Sequence, residues 1–256
     1  MNTSCKELKR IARANLTHRF STPMGALLVA GIIPLAIELP FSMIQGEHPS
    51  LMQNIAFYAA EFLIALISYT LNAGVTLLHL NLARKKPYSV SMVFYGFKNR
   101  PDRFILAGLI ELVIVLVGLI PFFVGISLFR TMDSAASYAV LFGLACVSLV
   151  LCTIIALNIC LMVYFVIEQP DLPLFDCLKG SLRTMKGHKG RLLYIYLSFI
   201  GLQFFNALSL GIGSLWVGPY QDQTMANFYL NLIGEIPPAQ QAAPGSGNYQ
   251  SFNQYI

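Results

Sequence analysis

Residues 104–129 read FILAGLIELVIVLVGLIPFFVGISLF, a run of 26 with one ionisable group, Glu111. About 20 apolar residues, rising roughly 1.5 Å each as a helix, cover the ~30 Å hydrocarbon core of a bilayer. This run is therefore expected to be a transmembrane helix, bent at Pro121. Similar runs lie on both sides: Pro23 to about Ile44 with Pro34 and Pro40 inside, about Ile55 to Leu80, about Ala136 to Ile167, and Leu192 to about 210. The fourth is too long for a straight crossing and must tilt or emerge as helix. A break at Gly211-Ile-Gly213, followed by Pro219, opens a half-polar sixth segment, 211–232. Barrel strands alternate in polarity, whereas these runs are uniformly apolar, so the expected fold is an all-α membrane bundle of about six spans.

Composition agrees. Hydrophobic residues make up 56% of the 256, charged residues only 11%, and mean hydropathy is +0.63. Soluble domains carry about 25% charged residues, so a soluble domain is excluded, and disorder with it. Five cysteines, three of them (Cys146, Cys152, Cys160) in one apolar run, do not suggest a disulfide scaffold. The basic stretch before the first span is long and helical in pattern, and no small-residue cleavage site follows. That span should therefore be retained rather than removed as a signal.

Charge fixes the expected orientation. Sixteen of the 17 Lys and Arg residues fall in three regions. Lys6, Lys9, Arg10, Arg13 and Arg19 precede span one. Arg84, Lys85, Lys86, Lys98, Arg100 and Arg103 lie between spans two and three. Lys179, Arg183, Lys186, Lys189 and Arg191 lie between spans four and five. Only Arg130 falls on the other side. The positive-inside rule places these regions, and the N-terminus, in the cytoplasm of a bacterial cell, and six spans return the C-terminus there. The net charge of +5 then reads as a topology and anionic-headgroup feature, with nucleic acid a poor alternative.

Each basic region also has helical periodicity. Leu8, Ile11, Ala12, Leu16 and Phe20 form one apolar stripe, and Val90, Val93, Phe94 and Phe97 a second. Leu174, Leu178, Leu182 and Met185 form a third, with Asp171 placed to cap its start. Three interfacial amphipathic helices are expected, over about 3–20, 88–100 and 172–187, apolar face toward the bilayer. Lys6, Lys9, Arg10, Arg13, Lys85, Lys86, Lys179, Arg183 and Lys186 would then face lipid headgroups or a protein partner. Their offset of roughly 85 residues suggests three repeats of interfacial helix, helix, helix. Residues 1–234 thus form one domain, and 235–256, rich in Pro, Gly, Ser and Gln, a loose tail.

Ionisable groups inside spans are costly and are candidates for function. Glu61 and Glu111 could form a proton- or cation-responsive pair lining a ligand or ion pathway, with Asn158 and Asp222 as further polar groups. Interhelical hydrogen bonding is the competing reading, stronger for Asn72, Asn158, Gln203 and Asn206. His79 and Glu38 read as interfacial. Pro121, Gly211, Gly213 and Pro219 read as helix breaks. Enzyme signatures are missing: the four His are scattered, and no nucleophile elbow, Walker loop, dinucleotide loop or Cys-x-x-Cys pair occurs. No catalytic residue, cofactor or metal is expected.

The third unit carries a resemblance. SLRTMKGHKGR at 181–191, LSFIG at 197–201, GIGSLW at 211–216, Pro219-Tyr220 and ANFY at 226–229 resemble a bacterial integral membrane family catalogued as domain of unknown function 975. The FYGF of 94–97 looks like that family's first cytoplasmic connection. More distantly, the layout is similar to the membrane domain attached to some glycerophosphodiester phosphodiesterases, where this module is not itself the enzyme. The resemblance implies a membrane protein and no particular activity. Two functions fit the residues: a small transporter or export/immunity-type protein for a hydrophobic or peptide ligand, or a scaffold that organises lipid or docks a cytoplasmic ATPase through 174–185.

Overall fold

A computed structural model describes residues 3–44, 50–131 and 135–236; the expected tail beyond Ile236 lies outside the described residues. All regular structure among them is helical. The elements are α1 (Cys5–Leu16), α2 (Ser21–Ile44), α3 (Leu51–Ala83), a 3-10 turn (Val90–Phe94) running into α4 (Tyr95–Lys98), α5 (Pro101–Thr131), α6 (Ala135–Ile159), α7 (Met162–Glu168), α8 (Leu174–Met185), α9 (Lys189–Leu197), α10 (Ile200–Leu208) and α11 (Ser214–Leu232). Five stretches are long and apolar enough to cross a membrane: Ser21–Met43, Leu51–Ala83, Pro101–Arg130, Ser137–Glu168 and Lys189–Leu208.

The expected breaks are redistributed. α5 continues through Pro121, and α11 through Pro219. One missing amide bond is tolerated inside a helix where neighbours or local adjustments satisfy the freed carbonyl. Gly211 and Gly213 do separate α10 from α11. Gly211 has φ +89°, which suits a residue without Cβ, and the Gly213 amide donates to Ser209 Oγ at 2.8 Å. Two further breaks carry no proline or glycine. The fourth run parts at Cys160-Leu161, between α6 and α7, and the fifth at Ser198-Phe199, between α9 and α10.

Polarity is distributed inside out. α11 is the half-polar segment, yet it lies at the centre, with Tyr220, Gln223, Thr224, Asn227, Phe228, Tyr229 and Asn231 all buried. α1, α2 and α3 pack around it. α5 and α6, the most apolar helices, pair with one another, and only 11% of their most apolar stretches is buried.

The amphipathic segments use their apolar faces within the molecule. Leu8, Ala12 and Leu16 of α1 are fully buried in the main core, where α1 packs on α11. The middle segment is a short 3-10/α unit and not a continuous helix over 88–100. It presses against α3 so closely that a Cβ on Gly74 would lie 2.3 Å from the carbonyl oxygens of Met92 and Val93. α8 buries Cys177, Ser181 and Met185, leaving Leu182 41% exposed, so its inward stripe is rotated from the expected one. The reason lies in two anchors: Ser181 Oγ donates to the Asn158 carbonyl at 2.6 Å, and Cys177 Sγ accepts from Arg103 at 3.4 Å. Asp171 does not cap α8; Pro173 holds that position, and Asp171 stands 3.7 Å from Arg100.

Candidate functional site

Two polar regions meet between the helices. The first is a half-open cleft of about 390 Å³ between α5, α6 and α9. Glu111, Thr153 and Cys160 line it together with Leu157, Leu193 and Tyr196. Glu111 comes from α5, one long unbroken helix. Cys160 is present because α6 ends there. Interrupted helices at membrane depth occur where protein covers them or where they line a cavity, and here the interruption opens onto one. Behind Glu111 sits the buried Tyr69 hydroxyl of α3, close enough for electrostatic interaction but outside hydrogen-bond geometry.

The second region surrounds α11. His79 of α3 is 1% exposed; its Nδ1 lies 2.9 Å from Gln223 Oε1, and its Nε2 lies 3.9 Å from Asp222 Oδ2. Asp222 is half-buried beside it, with 44% of its side chain accessible. Tyr196 bridges the two regions: it lines the Glu111 cleft and interacts with both Cys160 and Asp222. Tyr164 also interacts with Asp222, Tyr196 and Cys160. Glu111, Cys160, Tyr196, Tyr164, Asp222 and His79 therefore form one connected set of ionisable groups.

Of the four pathway residues named from sequence, the structure brings Glu111 and Asp222 toward this set. Glu61 is half-buried on α3, eight residues or roughly 12 Å of rise from Tyr69. Asn158 turns back on its own helix, donating to the Ile154 carbonyl at 2.6 Å. Asn72 does likewise with Ser68, while Gln203 donates to Gln221 across the α10–α11 junction at 3.1 Å. His79 corrects its interfacial expectation: it is a core residue. What sequence reasoning missed is the stripe Tyr220, Gln223, Thr224, Asn227, Asn231. Its i, i+3, i+4, i+7, i+11 spacing puts polar groups on one helix face, which in an apolar chain marks an inward face.

Two of the cations expected at the headgroups, Lys9 and Arg13, instead bond inside the molecule. Lys9 Nζ donates to Ser198 O (3.3 Å) and Oγ (3.0 Å) at the end of α9, and stands 4.2 Å above the Phe199 ring. A cation there satisfies open carbonyls and complements the helix dipole. Partial burial, then Arg13 nearby, lowers its ammonium pKa from the ordinary lysine value. Arg13 Nε donates to the Tyr220 hydroxyl at 3.2 Å. Arg103 Nη2 donates to the Gln169 carbonyl at 2.7 Å, where α7 ends. Arg10 binds Glu7 through two hydrogen bonds, which hold that carboxyl below its usual range. Lys6, Lys85, Lys86, Lys179, Arg183 and Lys186 are exposed, and Lys179 pairs with Asp176 at 3.0 Å. At the end of α3, Arg84 clamps Glu168 and Glu235, and the guanidinium holds the Glu235 carboxyl below its usual value.

A family model described as a protein of unknown function, DUF975, matches residues 1–235. The chain belongs to this family. No curated protein and no solved structure matches it, so the likeness to the membrane domain of glycerophosphodiester phosphodiesterases has no support. Nothing in the family's description assigns DUF975 a ligand. The case for one rests on the cleft, and no cluster of three or more His, Cys, Asp or Glu side chains suited to a metal occurs among the described residues.

Proposed function

We propose that this DUF975 protein is a non-enzymatic, multi-pass protein of the bacterial plasma membrane, N-terminus inside, built as three helical repeats, that transports or exports a small hydrophobic ligand. One observation carries the reading. The cleft between α5, α6 and α9 combines apolar walls (Leu157, Leu193) with a single carboxyl, Glu111, at a helix interruption. Apolar pockets with a few convergent polar groups are the usual form of small-molecule sites, and interrupted helices the usual place for them in carriers. A lone carboxyl among aliphatic side chains selects a hydrophobic molecule with a cationic or hydrogen-bond-donating end, including an apolar peptide with a free amine.

The test is flux of tetraphenylphosphonium in proteoliposomes holding the purified chain. Flux above protein-free liposomes is expected, reduced about tenfold or more in Glu111→Gln, the weight of losing a buried charge contact. Flux equal to empty liposomes, or equal in wild type, Glu111→Gln and a cleft-filling Ala156→Phe, overturns the proposal.

A second reading, a lipid-organising or partner-docking module, is favoured by α8. Phe175 is 65% exposed there and shares a surface with Leu182, Lys179, Arg183 and Lys186. That combination of apolar and basic groups suits anionic headgroups. If this is the working surface, neutralising the three cations abolishes function and Glu111→Gln leaves it intact.

A further inference from the structure

The amides beside His79 have a polarity that the backbone imposes. The Leu8 carbonyl can only accept, so the Asn227 side chain must present its Nδ2 to it, at 3.3 Å. Asn227 Oδ1 then accepts from Gln223 Nε2 at 3.5 Å, with Asn15 Nδ2 donating to the same oxygen at 3.5 Å. Gln223 is thereby left with its Oε1 toward His79 Nδ1, 2.9 Å away. An oxygen acceptor demands a donor, so Nδ1 carries hydrogen. This chain of four groups, running from α1 through α11 to α3, fixes the tautomer of a side chain that sequence placed at the membrane surface.

The other ring nitrogen is what remains. In the neutral ring Nε2 holds a lone pair. It is buried without a hydrogen-bond partner and faces Asp222 Oδ2 across 3.9 Å. A lone pair opposite a carboxylate is repulsive and leaves both groups unsatisfied in a low-dielectric interior. One added proton changes that. Whichever group carries it, the two become donor and acceptor, and closing the gap by about 1 Å gives a hydrogen bond, charge-assisted when the ring holds the proton. Asp222 has 44% of its side chain accessible while His79 is buried, so the carboxylate is the member of the pair open to proton exchange.

We propose that His79 and Asp222 form a proton-binding site, holding a single proton between Nε2 and the carboxylate and exchanging it through the accessible face of Asp222. The neighbours suit this. Tyr164 of α7 and Tyr196 of α9 interact electrostatically with Asp222. Cys160, between α6 and α7, links Tyr196 toward Glu111 of α5. From α1, Arg13 and Lys9 are committed to Tyr220 and Ser198 and lie beside α11 without facing His79. α10 faces α11 with uncharged amides, Gln203 onto Gln221. Asp222 is thus the anionic partner of His79, and His79 the nearest cationic one of Asp222. The site stands whether or not the cleft binds a hydrophobic ligand.

The experiment is ¹⁵N NMR of histidine-labelled protein in lipid nanodiscs across a pH series, with the His79 signals identified by their loss in His79→Gln. In wild type, the neutral ring is expected to carry its proton on Nδ1 and to titrate once. In Asp222→Asn, the midpoint is expected to shift by about one pH unit or more, the weight of an opposite charge within about 4–6 Å. In Asp222→Glu, which keeps the carboxylate, it should stay near the wild-type value. A neutral ring protonated on Nε2 overturns the proposal even if the Asp222 variants do not fold. A midpoint identical in wild type and Asp222→Asn overturns it as well. Loss of tetraphenylphosphonium flux with this titration intact removes only the transport reading.

Discussion

α11 and the α5–α6 hairpin invert the rule by which soluble proteins are built. α11 carries Gln221, Asp222, Gln223, Thr224, Asn227 and Asn231, and lies at the centre of the molecule. α5 and α6 are almost free of polar groups, and they expose Val113, Val117, Phe142, Leu149 and Val150 along their length. In water this arrangement would be unstable; in hydrocarbon it is the economical one. Lipid satisfies an aliphatic surface at no cost, while each polar side chain must find a partner inside. α11 finds them on α1, α3, α9 and its own next turn. The hairpin needs very few, and Ser148 Oγ on the Gly118 carbonyl, at 2.7 Å, is one of them. The two regions show that polarity, and not hydrophobicity, says which helix is central in this chain.

The sharpest way to break the comparison is to make α11 apolar. Asn231 donates to Thr3 Oγ1 at 3.0 Å and accepts from Arg191 Nη2 at 3.0 Å. Asn231→Leu removes these bonds and leaves Arg191 Nη2 with the Thr3 carbonyl alone, at an expected cost of about 3 kcal/mol. The lipid-like exterior gives the control, since Val147→Ala on α6 should change stability by under about 0.5 kcal/mol. Thermal unfolding in detergent micelles, followed by size exclusion, measures both; equal losses would remove the distinction.

A second contrast uses glycine. Gly74 faces the backbone of Met92 and Val93, where a Cβ has no room, whereas Gly143 on α6 has nothing within 4 Å of the same position. Gly74→Ala should cost about 1–3 kcal/mol by forcing the 3-10 turn away. Gly143→Ala should be neutral or stabilise by up to about 1 kcal/mol through helix propensity. The same melts decide it, and a tolerated Gly74→Ala would show that the turn is not pinned.

The smallest expected effect is electrostatic and sits at the rim. Arg84 depresses the Glu235 carboxyl below its ordinary value near 4.5, so the clamp contributes fully above that pH and is lost as pH falls through the depressed value. Glu235 is 44% exposed, which limits the contribution to less than about 1 kcal/mol. Glu235→Gln should lower the melting temperature slightly at pH 7 and by less at pH 3. A difference of the same size at both values would rule the ion pair out as its cause.

Long helices were legible because runs such as 104–129 leave no other solution, and the Gly211 break because a φ near +90° suits glycine. The interruptions at Cys160-Leu161 and Ser198-Phe199 were not legible. Their residues fit a continuous helix, and only tertiary partners, Lys9 on Ser198 among them, reveal the stop. Glu111 could be singled out because a carboxyl in an aliphatic run is conspicuous. His79 could not, since its position near the end of a span fits a surface residue equally well; its partner, Gln223, lies 144 positions away. The stripe of α8 was misjudged because Leu182 outweighs Ser181 on any hydropathy scale, although Ser181 has a carbonyl waiting for it.

The contact between α1 and α11 has a consequence for synthesis. Leu8 and Asn227 are 219 residues apart, and at about 5–20 residues per second the ribosome needs some 10–45 s to deliver the second after the first. Throughout that interval the greasy side of α1 lacks its native seat. The nascent chain must shelter it against the bilayer surface or a chaperone, and α11, emerging late, is the keystone that releases it.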